Sequence, residues 1–170
     1  MLRLDVPRLS VGEFDVGLWR PEQAQALVDA WHDPAVLLGA EPPVDRSLES
    51  ALRWIDGTEL RAAAALAIDA VVTQRSSGEV CGEVGLSSIQ VERRAALVGW
   101  WVAASRRGEG IATAMVTAFS DWAIHEAGYA ALLAQIAPDN TASIIVAERA
   151  GFSLLKDSDS ADQAAVFVRH

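Results

Sequence analysis

The chain has 170 residues, 51% of them hydrophobic and 22% charged, a length and balance that fit one folded domain spanning residues 1–170 and exclude a disordered chain. Its formal net charge of −9 argues against a protein that coats nucleic acid, which needs a broad basic surface; it suits a cationic or amine partner, or simply solubility. A single cysteine, Cys81, excludes a disulfide framework and a thiolate-based metal site, the apolar runs are too short to cross a bilayer as a helix, and the N-terminus has no signal-peptide pattern, so a soluble, cytoplasmic protein with no metal and no membrane contact is expected.

Residues 8–19, "RLSVGEFDVGLW", alternate loosely and read as a first strand. Pro21 opens a helix over 21–32, with Ala24, Leu27, Val28 and Trp31 at helical spacing. Asp33-Pro34 ends it, and 35–46 read as a loop. A second helix over 47–56 sets Leu48, Leu52 and Ile55 on one face. The second half of 63–74, then 80–90 and 94–104, form an antiparallel meander joined by short turns, of which "RSSGE" is one. A helix runs from Gly110 to about Ala127, with Ile111, Met115, Phe119 and Trp122 along one stripe, and Gly128 stops it. Residues 130–136 are a short buried strand. In "PDNTASIIVAERAGF", Asn140 caps a helix that Gly151 ends. "FSLLKD" and "AAVFVRH" are a final pair of strands, the last able to pair or exchange across a homodimer. The order β-α-α-β-β-β-α-β-α-β-β predicts an α/β fold with a mixed, mostly antiparallel sheet. The crossover from 94–104 through 110–127 to 130–136 is a parallel, right-handed β-α-β unit.

The stretch "RRGEGIATAM", residues 106–115, places two glycines at a helix start directly after two arginines. A helix N-terminus presents unpaired N–H groups and a partial positive charge, which suit phosphate. Glycine there admits the close approach of an anion, and Arg107 adds a full charge. The run therefore reads as a pyrophosphate cradle, with a simple turn as the alternative. It is no Walker A loop, because Ile-Ala-Thr follows the second glycine where Lys-Ser/Thr is required. Nor is it a dinucleotide fingerprint, since Thr113 stands where a third small residue belongs and an antiparallel meander precedes it.

"R-G-E-G-I-A" matches the Q/R-x-x-G-x-G/A signature of the GNAT superfamily of acyl-CoA-dependent N-acyltransferases, with Arg107, Gly110 and Ala112 at the signature positions. "PDNTASIIVAERAGF" resembles that family's N-x-x-S helix and Gly-Phe exit. "WHDPAV" and "SLESALRWID" are similar to the RimJ/RimL-like ribosomal-protein N-terminal acetyltransferase branch. The resemblance implies a GNAT fold whose sheet is splayed at its centre, and acetyl-CoA as co-substrate with an amine acceptor, either a protein N-terminus or a small molecule. It places the diphosphate on Arg107, Gly108, Glu109, Gly110, Ile111 and Ala112, with Thr113 near by, and the pantetheine arm along Trp101, Val102 and Ala103. It puts Asn140 on the pantetheine and Ser143 near the sulfur. The Val102 amide is the implied oxyanion donor.

Acyl transfer to an amine needs a neutral amine, a polarised carbonyl and a protonated leaving thiolate. The branch commonly carries a glutamate before the aromatic pair, where this chain has Leu97, and many family members carry a tyrosine where it has Ala147. Glu83, on the neighbouring strand, is the replacement base if it faces the cleft. Ser143 is the substitute acid, unless it only helps finish the helix N-terminus. Trp100 and Trp101 face opposite sides of their strand, one toward the core and one toward the acceptor. Trp31 and Trp54 are core or acceptor wall, His125 is off the apolar stripe, and Glu41, Asp45 and Glu49 attract a cationic amine or form a solvated loop. The loss of both family catalytic positions keeps open a catalytically impaired acyl-CoA-binding protein. The glycine loop alone keeps open a nucleotide-binding regulatory module.

Overall fold

The computed structural model describes residues 1–40, 42–157 and 163–170, and Glu41 falls outside them. The expected first strand is a hairpin, β1 (Leu9–Val11) and β2 (Phe14–Gly17), because Gly12 turns the chain with φ +57°. A 3-10 turn over Pro21–Gln23 leads into α1 (Ala24–His32). Asp33-Pro34 ends α1 as expected and also starts a short helix inside the expected loop, α2 (Pro34–Leu37). The Asp33 carboxylate accepts from the Ala35 N–H at 2.9 Å, and Pro34 occupies a first-turn position where no N–H is needed. Ser47 caps α3 (Leu48–Asp56) by accepting from the Ser50 N–H at 3.2 Å. Gly57 stays right-handed, so the chain continues into α4 (Thr58–Ala63).

The meander is β3 (Ala67–Gln74), β4 (Val80–Gln90) and β5 (Ala95–Val102). After β5 come α5 (Ile111–Asp121), a π-helical turn over Trp122–Glu126, β6 (Ala131–Ile136), α6 (Thr141–Arg149), β7 (Ser153–Lys156) and β8 (Ala165–Arg169). The strands form one sheet in the order β1-β2-β3-β4-β5-β6-β8-β7. Every neighbouring pair is antiparallel except β5 and β6. β8 lies between β6 and β7, with both its edges paired within the chain.

The feature that makes a site is how little β5 and β6 touch. They pair only from Ala95–Ala131 to Leu97–Leu133. Beyond Leu97 they diverge, and a wedge opens in the middle of the sheet. Alternation along the strands sends one set of side chains, including Ala70, Val84 and Leu86, into a core with Ile111, Met115 and Phe119 of α5. The expected α5 stripe is fully buried there, while His125 is exposed. The other face is covered by the first helices, in a second core of Trp19, Leu27, Trp31, Ala51, Ile55 and Val71, with Trp54 and Trp101 packed against it.

Candidate active site

The wedge opens into a cavity of about 440 Å³. β5 supplies Trp100, Trp101 and Val102, and α2 leans over it with Ala35 and Val36. The start of α5 supplies Gly108, Gly110, Ile111, Ala112 and Thr113, and α6 supplies Asn140, Ser143, Val146 and Arg149.

The start of α5 is built to leave donors open. α2, α3 and α6 each begin with a side chain that caps a backbone N–H. The N-cap of α5 is Gly110, which has no side chain to do so. Gly108 and Gly110 have φ of +83° and +78°, where a side chain is strained. A Cβ at either would meet nothing within 4 Å. Both glycines line the cavity, and the uncapped helix start beside it offers several donors to one anion. The residues thus fit a phosphate-bearing cofactor.

The two arginines before the glycines behave differently from the expected local basic spot. Arg106 is turned inward, pairing with Glu109 at 2.9 Å and Glu79 at 3.3 Å and donating to Gln74 Oε1 at 3.0 Å. It straps the loop to the β3–β4 hairpin. Glu109 does not line the cavity, and its carboxylate serves this strap. Arg107 lines the cavity, yet it forms an ion pair with Asp33 and donates to the Val102 carbonyl at 3.2 Å. Asp33 thus holds both the first turn of α2 and the loop before α5.

The backbone of β5 sorts the three expected pantetheine partners. The Ala103 N–H donates to the Cys81 carbonyl at 2.8 Å, and its own carbonyl accepts from the Arg106 N–H at 2.9 Å. Ala103 therefore has no peptide group left, and its side chain lines an adjoining cavity of about 410 Å³ with Asp29 and Asp33. By alternation, Trp101 directs its peptide groups to β4, while Trp100 and Val102 direct theirs into the wedge. Of the three, only Val102 keeps an N–H for a ligand there, whereas Trp101 contributes its ring.

On α6, Asn140 caps the helix by accepting from the Ser143 N–H at 3.1 Å. The Ser143 hydroxyl lines the cavity and has no protein partner among the described residues. Ala147, in the position of the family tyrosine, is buried in the core. Leu97 is the last residue of β5 paired to β6.

Glu83 was expected to serve as a base if it faced the cleft. It stands instead behind Trp101 and does not line the cavity. Its Oε2 accepts from Trp19 Nε1 at 2.7 Å and its Oε1 from Trp101 Nε1 at 3.2 Å. Trp19 packs against Trp101 and Trp54 with ring centroids 6.3 and 6.2 Å apart. Arg61 stacks on Trp54 at 4.3 Å and pairs with Asp69 at 2.9 Å. Burial, then the negative charge of Asp69, push the Glu83 carboxyl up to about 8 against the pull of the two indoles and Arg61. Among the residues that line the cavity there is no carboxylate, histidine, cysteine or tyrosine.

A splayed mixed sheet whose wedge is flanked by an uncapped glycine helix start defines a class, and the sequence agrees. The profile of the acetyltransferase (GNAT) domain matches residues 17–153, and the chain belongs to the GNAT acetyltransferase family. Among solved structures, ribosomal-protein-S5-alanine acetyltransferase from Vibrio fischeri superposes with a TM-score of 0.81 at 18% identity over 96% of each chain. RimL, a ribosomal L7/L12 α-N-protein acetyltransferase in complex with coenzyme A, gives 0.80 at 19% over 96% of this chain and 97% of that one. Mycobacterium smegmatis RimJ in complex with CoA-disulfide gives 0.77 at 25% over 96% and 86%. The RimJ/RimL-like resemblance of the sequence is matched by these folds. No curated protein matches the chain.

Proposed function

We propose that this protein is an acetyl-CoA-dependent N-acetyltransferase that acetylates a primary amine by direct attack, without a covalent enzyme intermediate. The observation that carries the proposal is the open, uncapped start of α5 facing the wedge cavity. Acetyl-CoA supplies the activated acetyl thioester. The N–H groups of residues 108–113 hold its diphosphate, and Arg106 and Arg107 shape that loop through their carboxylate partners. The Val102 N–H, directed into the wedge, polarises the acyl carbonyl. The amide nitrogen of Asn140 is free for the pantetheine, since the side-chain oxygen is the capping atom. The Ser143 hydroxyl donates a proton to the departing thiolate. Glu83 acts as a positioning residue that fixes the Trp101 ring in the cavity wall.

The amine is a protein N-terminus or a small molecule. Proteins of the same fold are named for both kinds of acceptor, a ribosomal-protein alanine and spermidine. The bare cavity wall favours a second reading, an acyl-CoA-binding protein without transferase activity, because no side chain in it is a strong base. Calorimetric titration with acetyl-CoA, paired with thiol release in the presence of alanine- and serine-initiated peptides and spermidine, separates the two. The binding arm uses Gly108→Asp against Gly108→Asn. Both carry the same backbone strain, but only the aspartate sets a negative charge before the α5 amides. Binding by the parent and the asparagine variant, weakened at least about tenfold in the aspartate variant, is expected. Absence of binding in the parent would sink both readings, and binding without thiol release would leave the second.

A further inference from the structure

Three arginines line the wedge cavity: Arg106, Arg107 and Arg149. The first two are tied to carboxylates, Arg106 to Glu109 and Glu79 and Arg107 to Asp33. Arg149, in the last turn of α6, has no hydrogen-bond or ion-pair partner among the described residues. It is exposed at the rim, in a protein with 23 acidic residues against 14 lysines and arginines. Of the three cavity arginines it alone has no carboxylate partner among the described residues. It lies on the same stripe of α6 as Asn140, Ser143 and Val146, which also face the cavity. Along the helix axis it stands about 9 Å beyond Ser143, at 1.5 Å per residue.

The cavity therefore has two separate places for anions. One is the amide cluster at the start of α5, whose N–H groups need no side-chain charge. The other is Arg149, whose fork of N–H donors matches the oxygens of a terminal phosphate. Coenzyme A carries a diphosphate within its chain and a terminal phosphate on the ribose 3′ position. We infer that Arg149 binds the ribose 3′-phosphate, so that this protein distinguishes coenzyme A from its 3′-dephospho form. The assignment rests on the acetyl-CoA reading above. A cation in the last turn also complements the helix dipole, but that role is indifferent to the ligand's phosphates, and the two roles part in the binding data.

The test is calorimetric titration of the parent and Arg149→Gln with coenzyme A and with 3′-dephospho-coenzyme A at one fixed salt concentration. Arg149 is exposed and unpaired, so equal melting temperatures are expected for the two proteins. The parent binds coenzyme A more tightly than the dephospho form by about tenfold, the worth of a charge-assisted contact. Arg149→Gln loses that preference by weakening coenzyme A alone, and dephospho-coenzyme A binds both proteins alike. Equal weakening toward both ligands would place Arg149 on another part of the molecule and overturn the assignment, as would unchanged affinity for both. A parent that binds neither ligand would remove the acetyl-CoA reading and this assignment with it.

Discussion

Replacing Glu83 with glutamine turns the carboxyl behind Trp101 into a measurable pH dependence. Burial and the neighbouring Asp69 raise Glu83 from an ordinary 4.5 to about 8, although the Trp19 and Trp101 N–H groups and Arg61 oppose the rise. A carboxyl with a raised folded pKa binds its proton more tightly in the native state. Stability is then fully present below about 4.5, falls as pH rises from there to about 8, and is flat above. At about 1.4 kcal/mol per tenfold difference in proton affinity, the fall is up to roughly 5 kcal/mol, and about 3 once solvent contact with the carboxyl is allowed for. Glutamine does not titrate, but its NH₂ replaces one accepting oxygen. One indole N–H then loses its partner, which costs about 1–3 kcal/mol. Glu83→Gln should be less stable than the parent at pH 5 and equal or more stable at pH 9, with the curves crossing between. Urea unfolding at pH 5, 7 and 9 reads this directly. Parallel curves would refute the reasoning, because the buried carboxyl would then carry no extra proton. The same variant tests the positioning role: kcat should stay within about threefold of the parent, whereas a loss of a hundredfold or more would make Glu83 the general base.

Ser143→Ala should lower kcat by about 10- to 100-fold while leaving acetyl-CoA affinity and melting temperature unchanged. The Asn140 cap contacts the backbone N–H of Ser143 and survives the change, so a shared fall in stability and rate would assign the hydroxyl a structural role only. Asp33→Ala should destabilise the protein by about 1 kcal/mol more than Asp33→Asn, because asparagine still caps α2. Both changes remove the charge that holds Arg107, so acetyl-CoA should bind more tightly to Asp33→Asn at low salt. Weaker binding there would show that the clasp, rather than the free cation, matters for the loop.

What was legible in the sequence was whatever a local pattern encodes. The meander and the crossover through α5 follow from alternation, turn residues and glycine stops, and they appear as expected. The short helices α2 and α4 escaped because four and six residues hold too little of a helical period to register. The β1–β2 hairpin escaped because its turn at Gly12 sits inside a run that still alternates. The site divides in the same way. Two contiguous motifs, 107–113 and 140–143, supply much of the cavity wall and carry local patterns, whereas Ala35 and Val36 of α2 and Arg149 reach it only through the fold. The bonds from Trp19 to Glu83 and from Arg107 to Asp33 join residues 64 and 74 positions apart, and no spacing rule reaches that far. Ala103 belongs to the same class, since its peptide groups are consumed by Cys81 and Arg106, a matter of register rather than composition.

The absence of a base from the cavity wall bears on the choice of amine. An ammonium must lose its proton before it attacks, and without a side chain to take it the cost is set by the amine's own pKa. For an α-amino group, near 7.7–8.0, the cost at pH 7 is about 1 kcal/mol; for a lysine-like alkylamine near 10.4 it is about 4.6 kcal/mol. The difference, roughly 3.5 kcal/mol, is a factor of about 400 in rate for equal binding. Where the amine's own pKa sets this cost, a peptide N-terminus is the faster acceptor and a polyamine the slower one. The check is kcat/KM for an alanine-initiated tripeptide and for spermidine across pH 6 to 10. The peptide should be preferred by about a few hundredfold at pH 7, and the gap should narrow as pH approaches the alkylamine's pKa. A spermidine rate equal to the peptide's at pH 7 would mean that a protein group removes the proton, and Glu83 would return as the first candidate.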